Sequence, residues 1–279
     1  MSTIAYLGPE HTNTHLAAQA TFGPRHVYDH APTVEEVFQR VERRHADYGV
    51  VPVENSLEGA VTHTLDRFID VTDSQVKIHG EIEQPIQHYL IMHRGAALSD
   101  LRVVLSHPQA LAQCRHWLSD HMGHAAQRET NSTSEAVSRV LHETRGTRAR
   151  FKRAAIARAE LVKGRPLRAI PIPEARENKT RFLILGLGEP RRARRNKTSI
   201  LFALKDKPGA LHDALVPFKR HRINLTKIES RPSKRKAWEY LFFIDVEGHQ
   251  ADPRVTRALR ALERSTSLLR ILGSYPAAR

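Results

Sequence analysis

Asn178-Lys179-Thr180-Arg181-Phe182-Leu183-Ile184-Leu185-Gly186 is an apolar run bounded by polar residues and glycine, and it reads as a strand. Past Gly186 the chain changes character. Arg191, Arg192, Arg194, Arg195 and Lys197 crowd around Pro190 without apolar periodicity, which predicts a solvated basic linker over 188–196. Beyond it come a strand (Thr198 to Leu204), an Asp206-Lys207-Pro208-Gly209 turn, a helix (Ala210 to Lys219), strands at Leu225 to Arg231 and Glu239 to Val246, a helix (Pro253 to Arg264) and a final strand. That order is βαββαβ, so a ferredoxin-like domain is expected over 197–275.

Upstream of the strand the pattern is α/β. Thr3 to Leu7 reads as a strand that runs into Gly8-Pro9, after which Leu16, Ala17 and Ala20 mark a helix. Thr33 to Glu36 has capping-box spacing, and Val34, Val37, Phe38 and Val41 form one apolar stripe behind it. Further strands are expected at Tyr48 to Val53, Val76 to Ile82, His88 to Met92 and Val103 to Leu105. Helices are expected up to about Asp70, from about Gln109, and behind the Ser132-Thr133-Ser134-Glu135 capping box. Alternation of this kind predicts two α/β lobes.

Composition narrows the class. At 279 residues, 40% hydrophobic and 27% charged, the chain is an ordinary globular protein with room for more than one domain. Its 44 Lys plus Arg against 30 Asp plus Glu give a net charge of +14, which raises the question of a nucleic-acid partner. The densest basic run carries no interleaved aromatics for base stacking, so neither nucleic acid nor membrane is expected as a partner; the field would instead speed encounter with a small dianion. Cys114 is the only cysteine, which excludes an intrachain disulfide and favours a reducing, cytoplasmic setting. The opening residues lack a basic n-region and apolar h-region, and no stretch is long and apolar enough to span a bilayer.

Three segments taken together resemble the prephenate dehydratase family: Gly8 to His15 (GPEHTNTH), Val51 to Val61 (VPVENSLEGAV) and Asn178 to Gly186 (NKTRFLILG), with Ser106-His107-Pro108-Gln109-Ala110-Leu111 between them. Lys207-Pro208-Gly209-Ala210-Leu211 and Ile228-Glu229-Ser230-Arg231-Pro232 resemble the regulatory ACT domain. The resemblance implies a monofunctional enzyme. Its catalytic domain, over 1–187, would be bilobed and built like a periplasmic binding protein, with crossovers near 78–90 and 165–175 and the substrate between the lobes. It also implies cofactor-free conversion of prephenate to phenylpyruvate, carbon dioxide and water. Phenylalanine would act as effector between paired ACT domains of a homodimer or homotetramer.

Prephenate carries two carboxylates and a leaving hydroxyl, so its site needs cations, oriented donors and one proton source. The resemblance nominates Thr180 as that source and Arg181 as a bidentate carboxylate holder. Neighbouring side chains on a strand face opposite sides, however, so the two meet one cleft only where the strand ends or twists. Glu54, Asn55 and Ser56 lie between a strand and a helix, where α/β folds place ligand loops. Glu54 suits orienting a donor better than meeting a dianion. Thr12 and Thr14 would add hydroxyls and helix-terminal amides. Where the family usually has Gly, Phe and Ser, this chain has His11, Asn13 and Thr14; Gly164 and Arg165 also depart from its pattern. For the effector the implied residues are Gly209, Ala210, Leu211, Glu229, Ser230 and Arg231.

Other readings compete. His11 and His15 stand four residues apart, a spacing that can share a metal on a helix, but no third ligand and no adjacent glutamate base are identifiable, so no metal is expected. Gly186-Leu187-Gly188 lacks the third glycine of a dinucleotide loop. Arogenate, which has an amino group in place of the keto group, is an alternative substrate. A catalytically silent amino acid sensor is an alternative of another class.

Overall fold

Thr33 caps the second helix by accepting a hydrogen bond from the Glu36 amide at 3.1 Å, and the stripe Val34, Val37, Phe38 and Val41 is buried behind it. The computed structural model describes residues 1–57, 59–70, 74–142, 152–173, 178–205, 207–233 and 239–278. Asp206 of the expected turn, Glu58 of the substrate loop and the end of the second expected crossover lie outside them. The chain divides into two compact units, one of residues 1–84 with 180–279 and one of residues 85–179.

In the first unit the order is β1 (Thr3–Leu7), α1 (Asn13–Phe22), β2 (Val27–Ala31), α2 (Val34–Glu42), β3 (Tyr48–Asn55), β4 (Gly59–Ala60), α3 (Thr62–Asp70) and β5 (Val76–Pro85). The second unit contributes β6 (Tyr89–His93), β7 (Val103–Ser106), α4 (Pro108–Gln113), α5 (Arg115–Met122), β8 (Ala126–Glu129), α6 (Thr133–His142), β9 (Arg153–Ala157) and β10 (Leu167–Pro171). The chain then returns to the first unit with β11 (Lys179–Leu187), β12 (Asn196–Leu204), α7 (Ala210–Arg220), β13 (Leu225–Pro232), β14 (Tyr240–Glu247), α8 (Pro253–Glu263) and β15 (Thr266–Pro276).

The first sheet runs β2-β1-β3-β11-β5, with β4 on β3. Strands β1, β2 and β3 are parallel, and β11 lies antiparallel to β3 with Thr180 opposite Asn55 and Arg181 opposite Glu54. The carboxyl ends of β1 and β3 and the start of β11 therefore share one edge, the place where open α/β sheets bind ligands. In the second unit the sheet runs β10-β6-β9-β7-β8, with α4 and α5 in one core and α6 in another. The helix expected from Gln109 begins at Pro108, capped by the His107 side chain, and breaks in two at the buried Cys114.

The C-terminal sheet, β13-β14-β12-β15, is the expected ferredoxin-like βαββαβ arrangement. Helices α7 and α8 cover one face through Ala214, Phe218, Val255 and Leu262. The other face is not left to water. Leu201, Phe243 and Tyr275 join one hydrophobic core with Val53, Phe68 and Leu183 of the first sheet and α3. Burial on both faces explains why β12 reads as a near-continuous apolar run instead of an alternating one.

Gly273 marks how close the two sheets come. A Cβ there would lie 2.3 Å from the Ile78 carbonyl oxygen of β5, a backbone atom with no rotamer to escape by. Gly273→Ala is expected to cost about 1–3 kcal/mol of stability, the range of small-to-large overpacking, read as a lower urea midpoint with the fold otherwise retained.

Candidate active site

Thr180 stands at the start of β11, half-buried, and its Oγ1 accepts a hydrogen bond from Asn55 Nδ2 at 3.0 Å. The Asn55 amide is oriented in turn, because its Oδ1 accepts the Leu57 amide at 3.0 Å in the turn after β3. With one lone pair engaged by Asn55, the threonine O–H remains suited to donate. Asn55 is buried and Ser56 exposed, so the loop goes from anchored to accessible within one residue.

Thr12 is the N-cap of α1. Its hydroxyl accepts from the His15 amide and donates to the Leu7 carbonyl, both at 3.3 Å, so its proton is used within the cap. Thr14 is buried in the first helical turn, with 5% of its surface exposed. His11, where the family usually has glycine, adopts φ 64°, the left-handed region that glycine enters at least cost. The His11 amide donates to His15 Nδ1 at 2.9 Å, and the His15 ring stacks on Tyr6 with centroids 4.5 Å apart. Among the described residues no group of three or more His, Cys, Asp or Glu is arranged to hold a metal ion.

Arg181 is engaged by carboxylates of the protein itself. Nε and Nη2 donate to Glu54 Oε2 at 3.2 and 2.9 Å, while Nη1 donates to Glu81 Oε2 at 3.0 Å and Asp245 Oδ2 at 2.7 Å. The fork expected to grip a substrate carboxylate is closed on carboxylates of the protein. Burial alone would lower its pKa, but Asp245, Tyr275 and Glu81 together raise it above the ordinary value. Lys197 pairs with Glu81 at 2.8 Å and Lys227 with Glu54 at 3.3 Å, so three cations face three carboxylates. Sequence reasoning missed Glu81, Asp245, Lys197 and Lys227. The available signal was Asp245 itself, a lone charge inside Leu241-Phe242-Phe243-Ile244-Asp245-Val246, where acids are rarely buried unless paired.

In the C-terminal domain Gly209 takes φ 77° as the N-cap of α7, with Ala210 and Leu211 opening the helix partly exposed. Along β13 burial alternates, with Glu229 and Arg231 inward and Ser230 exposed. Arg231 donates from Nε and Nη2 to Asp66 Oδ1 of α3 at 3.1 and 3.0 Å. Like Arg181, it is held by a carboxylate of the first sheet's layer.

The strand-edge hydroxyl and amide groups thus sit in an α/β fold that shares its core with a ferredoxin-like module, the architecture of a small-molecule site joined to a second, smaller domain. The family model for prephenate dehydratase matches residues 4–190 and that for the ACT domain matches residues 198–264. The chain belongs to the prephenate dehydratase family and carries an ACT domain. It is 44% identical to the bifunctional chorismate mutase/prephenate dehydratase of Aquifex aeolicus over 275 residues, 99% of this chain and 74% of that protein. To the prephenate dehydratase of Methanocaldococcus jannaschii it is 38% identical over 256 residues, 89% of this chain and 87% of that one. The prephenate dehydratase of Arthrobacter aurescens, solved in complex with L-Phe, superposes with a TM-score of 0.84 at 34% identity, covering 99% of this chain and 90% of that one. Among the described residues no helix is long and apolar enough to cross a membrane.

Burial, reinforced by His11, lowers the His15 pKa from 6.5, so the folded protein keeps this imidazole neutral. Below pH 6.5 the unfolded chain takes up a proton that folded His15 declines, and the stability present above that pH is lost as pH falls toward the lowered value. His79, also lowered chiefly by burial, acts with the same sign. His15→Gln is expected to flatten the decline of the thermal midpoint between about pH 7 and 5, measured by differential scanning fluorimetry.

Proposed function

We propose that this chain converts prephenate to phenylpyruvate, carbon dioxide and water, with Thr180 supplying the proton to the departing hydroxyl. The observation that carries the reading is the Asn55-to-Thr180 hydrogen bond, which holds the threonine oxygen at the strand edge of a sheet in a chain of this family and leaves its O–H to donate. As the bond to the ring carboxylate breaks, its electrons enter the ring. The carbon–oxygen bond breaks with them, and the leaving oxygen departs as water once it has a proton. Thr180 delivers that proton and recovers one from solvent. Aromatisation supplies the driving force, so no cofactor is needed in this scheme.

Thr14, Ser56 and the opening amides of α1 are assigned to the substrate carboxylates, with Thr12 shaping the helix start. Glu54 and Arg181 support the loop. Residues 1–187 form the dehydratase domain, 188–196 the linker and 197–275 the ACT domain. Phenylalanine is the assigned effector, bound by Gly209, Ala210 and Leu211 with Glu229, Ser230 and Arg231, in a homodimer or homotetramer of paired ACT domains. Val216, Ile228 and Tyr240, each more than 40% exposed, support such pairing. The cytoplasm, with its reducing conditions, suits the single buried cysteine.

Purified protein mixed with prephenate at neutral pH is expected to form phenylpyruvate, and Thr180→Ala to lose about 10² to 10⁴-fold in kcat with KM little changed. Unchanged turnover would remove Thr180 as the proton source. Faster turnover of arogenate in the same assay would reassign the substrate, and binding without turnover would favour a sensor. Adding phenylalanine is expected to lower turnover by about 5- to 150-fold, the usual span of coupling between two sites. Light scattering on the same samples distinguishes dimer from tetramer.

A further inference from the structure

Among the described residues the largest buried ionic cluster is the one around Arg181, and it adjoins the pair that does the chemistry. Resting on the assignment of Thr180 above, we propose that Arg181 is a positioning residue, not a ligand of the substrate. Its guanidinium sets the Asn55–Thr180 pair through Glu54, and Asp245 of the ACT sheet holds the guanidinium in that pose, which makes the C-terminal domain part of the active-site geometry.

The strand register supplies the first reason. Between Arg181 and Phe182 the ladder of β11 on β3 shifts, so the rungs Arg181–Glu54 and Thr180–Asn55 lie beyond the irregularity, at the end of that ladder. The regular ladder from Phe182 onward does not by itself dictate their spacing. A side-chain tie is added there: the Arg181 fork closes on Glu54 across the first of these rungs, one residue from Asn55 on one strand and one from Thr180 on the other.

Asp245 is held as firmly as what it holds. Its Oδ1 accepts from Ser199 Oγ at 2.5 Å, and Ser199 Oγ lies 2.7 Å from the hydroxyl of fully buried Tyr275, which leaves Oδ2 turned to Arg181. Lys227 adds a second handle. It reaches the other oxygen of Glu54 from β13, two residues before the assigned effector residue Glu229. Glu54 is thus gripped on one oxygen by the catalytic strand and on the other by the strand of the effector segment. Turning Arg181 toward a substrate would strip the buried Asp245 and Glu81 of their guanidinium at once, a cost that buried charges bear poorly.

The test is Asp245→Asn in the full-length chain, assayed for prephenate turnover with and without phenylalanine. We expect kcat to fall by about ten- to a hundredfold, as a small misplacement of reacting groups produces, with KM within about twofold and with phenylalanine binding by calorimetry retained while inhibition shrinks. Arg181→Lys, which keeps the charge and loses the fork, is expected to show the same kcat-selective loss. A KM increase exceeding the loss in kcat in Arg181→Lys would make Arg181 a substrate ligand and overturn the proposal, as would an Asp245→Asn enzyme with normal kcat and normal inhibition. If Asp245→Asn fails to fold, Ser199→Ala loosens the carboxylate without deleting it and is expected to shift kcat and inhibition in the same direction; no shift overturns the proposal. Absence of turnover in the unmodified chain would instead refute the dehydratase reading itself.

Discussion

A guanidinium taken out of water at the seam of two sheets is tolerated only if carboxylates meet nearly all of it, and Arg181 is met by Glu54, Glu81 and Asp245. Each comes from a different strand: β3, β5 and β14. The cation therefore works as a pin through three elements that hydrophobic packing alone would let slide, since apolar contacts are non-directional and charge-assisted hydrogen bonds are not. Around it the shared core of Val53, Phe68, Leu183, Phe243 and Tyr275 provides the area, and the pin provides the register.

That division of labour explains what could be read from residues alone. Strand β12 and the stripe on α2 announced themselves because burial on a continuous or periodic face leaves a hydrophobic signature. Four strands left no such trace. Ala126 to Glu129 is wholly exposed, Arg153 to Ala157 is alanine-rich, and β2 and β10 are short edge strands. Thr180 and Asn55 were legible as residues because the family resemblance marks them, but their hydrogen bond spans 125 positions and depends on a register shift that periodicity does not encode. The partners of Arg181 were illegible for a related reason. A basic residue beside a nominated catalytic threonine invites a substrate, and the carboxylates that claim it lie 64, 100 and 127 positions away.

The opening loop shows how a departure from family pattern is absorbed. His11 occupies a left-handed position at some strain, tolerated because its amide is satisfied by His15 and because the His15 ring is fixed by Tyr6. The left-handed turn is anchored here by an imidazole acceptor. That acceptor makes the helix start sensitive to protonation, since a charged His15 no longer accepts the His11 amide.

Gly273 lies where a strand of the regulatory domain passes so near Ile78 that one methyl group would collide with main chain. A sensor domain borrowed from a distant relative could therefore fold well and still fail to seat. To graft onto this catalytic layer it would have to arrive with an acid where Asp245 stands and bare backbone where Gly273 stands. In this chain the fit of the two sheets constrains a regulatory module independently of the amino acid it senses.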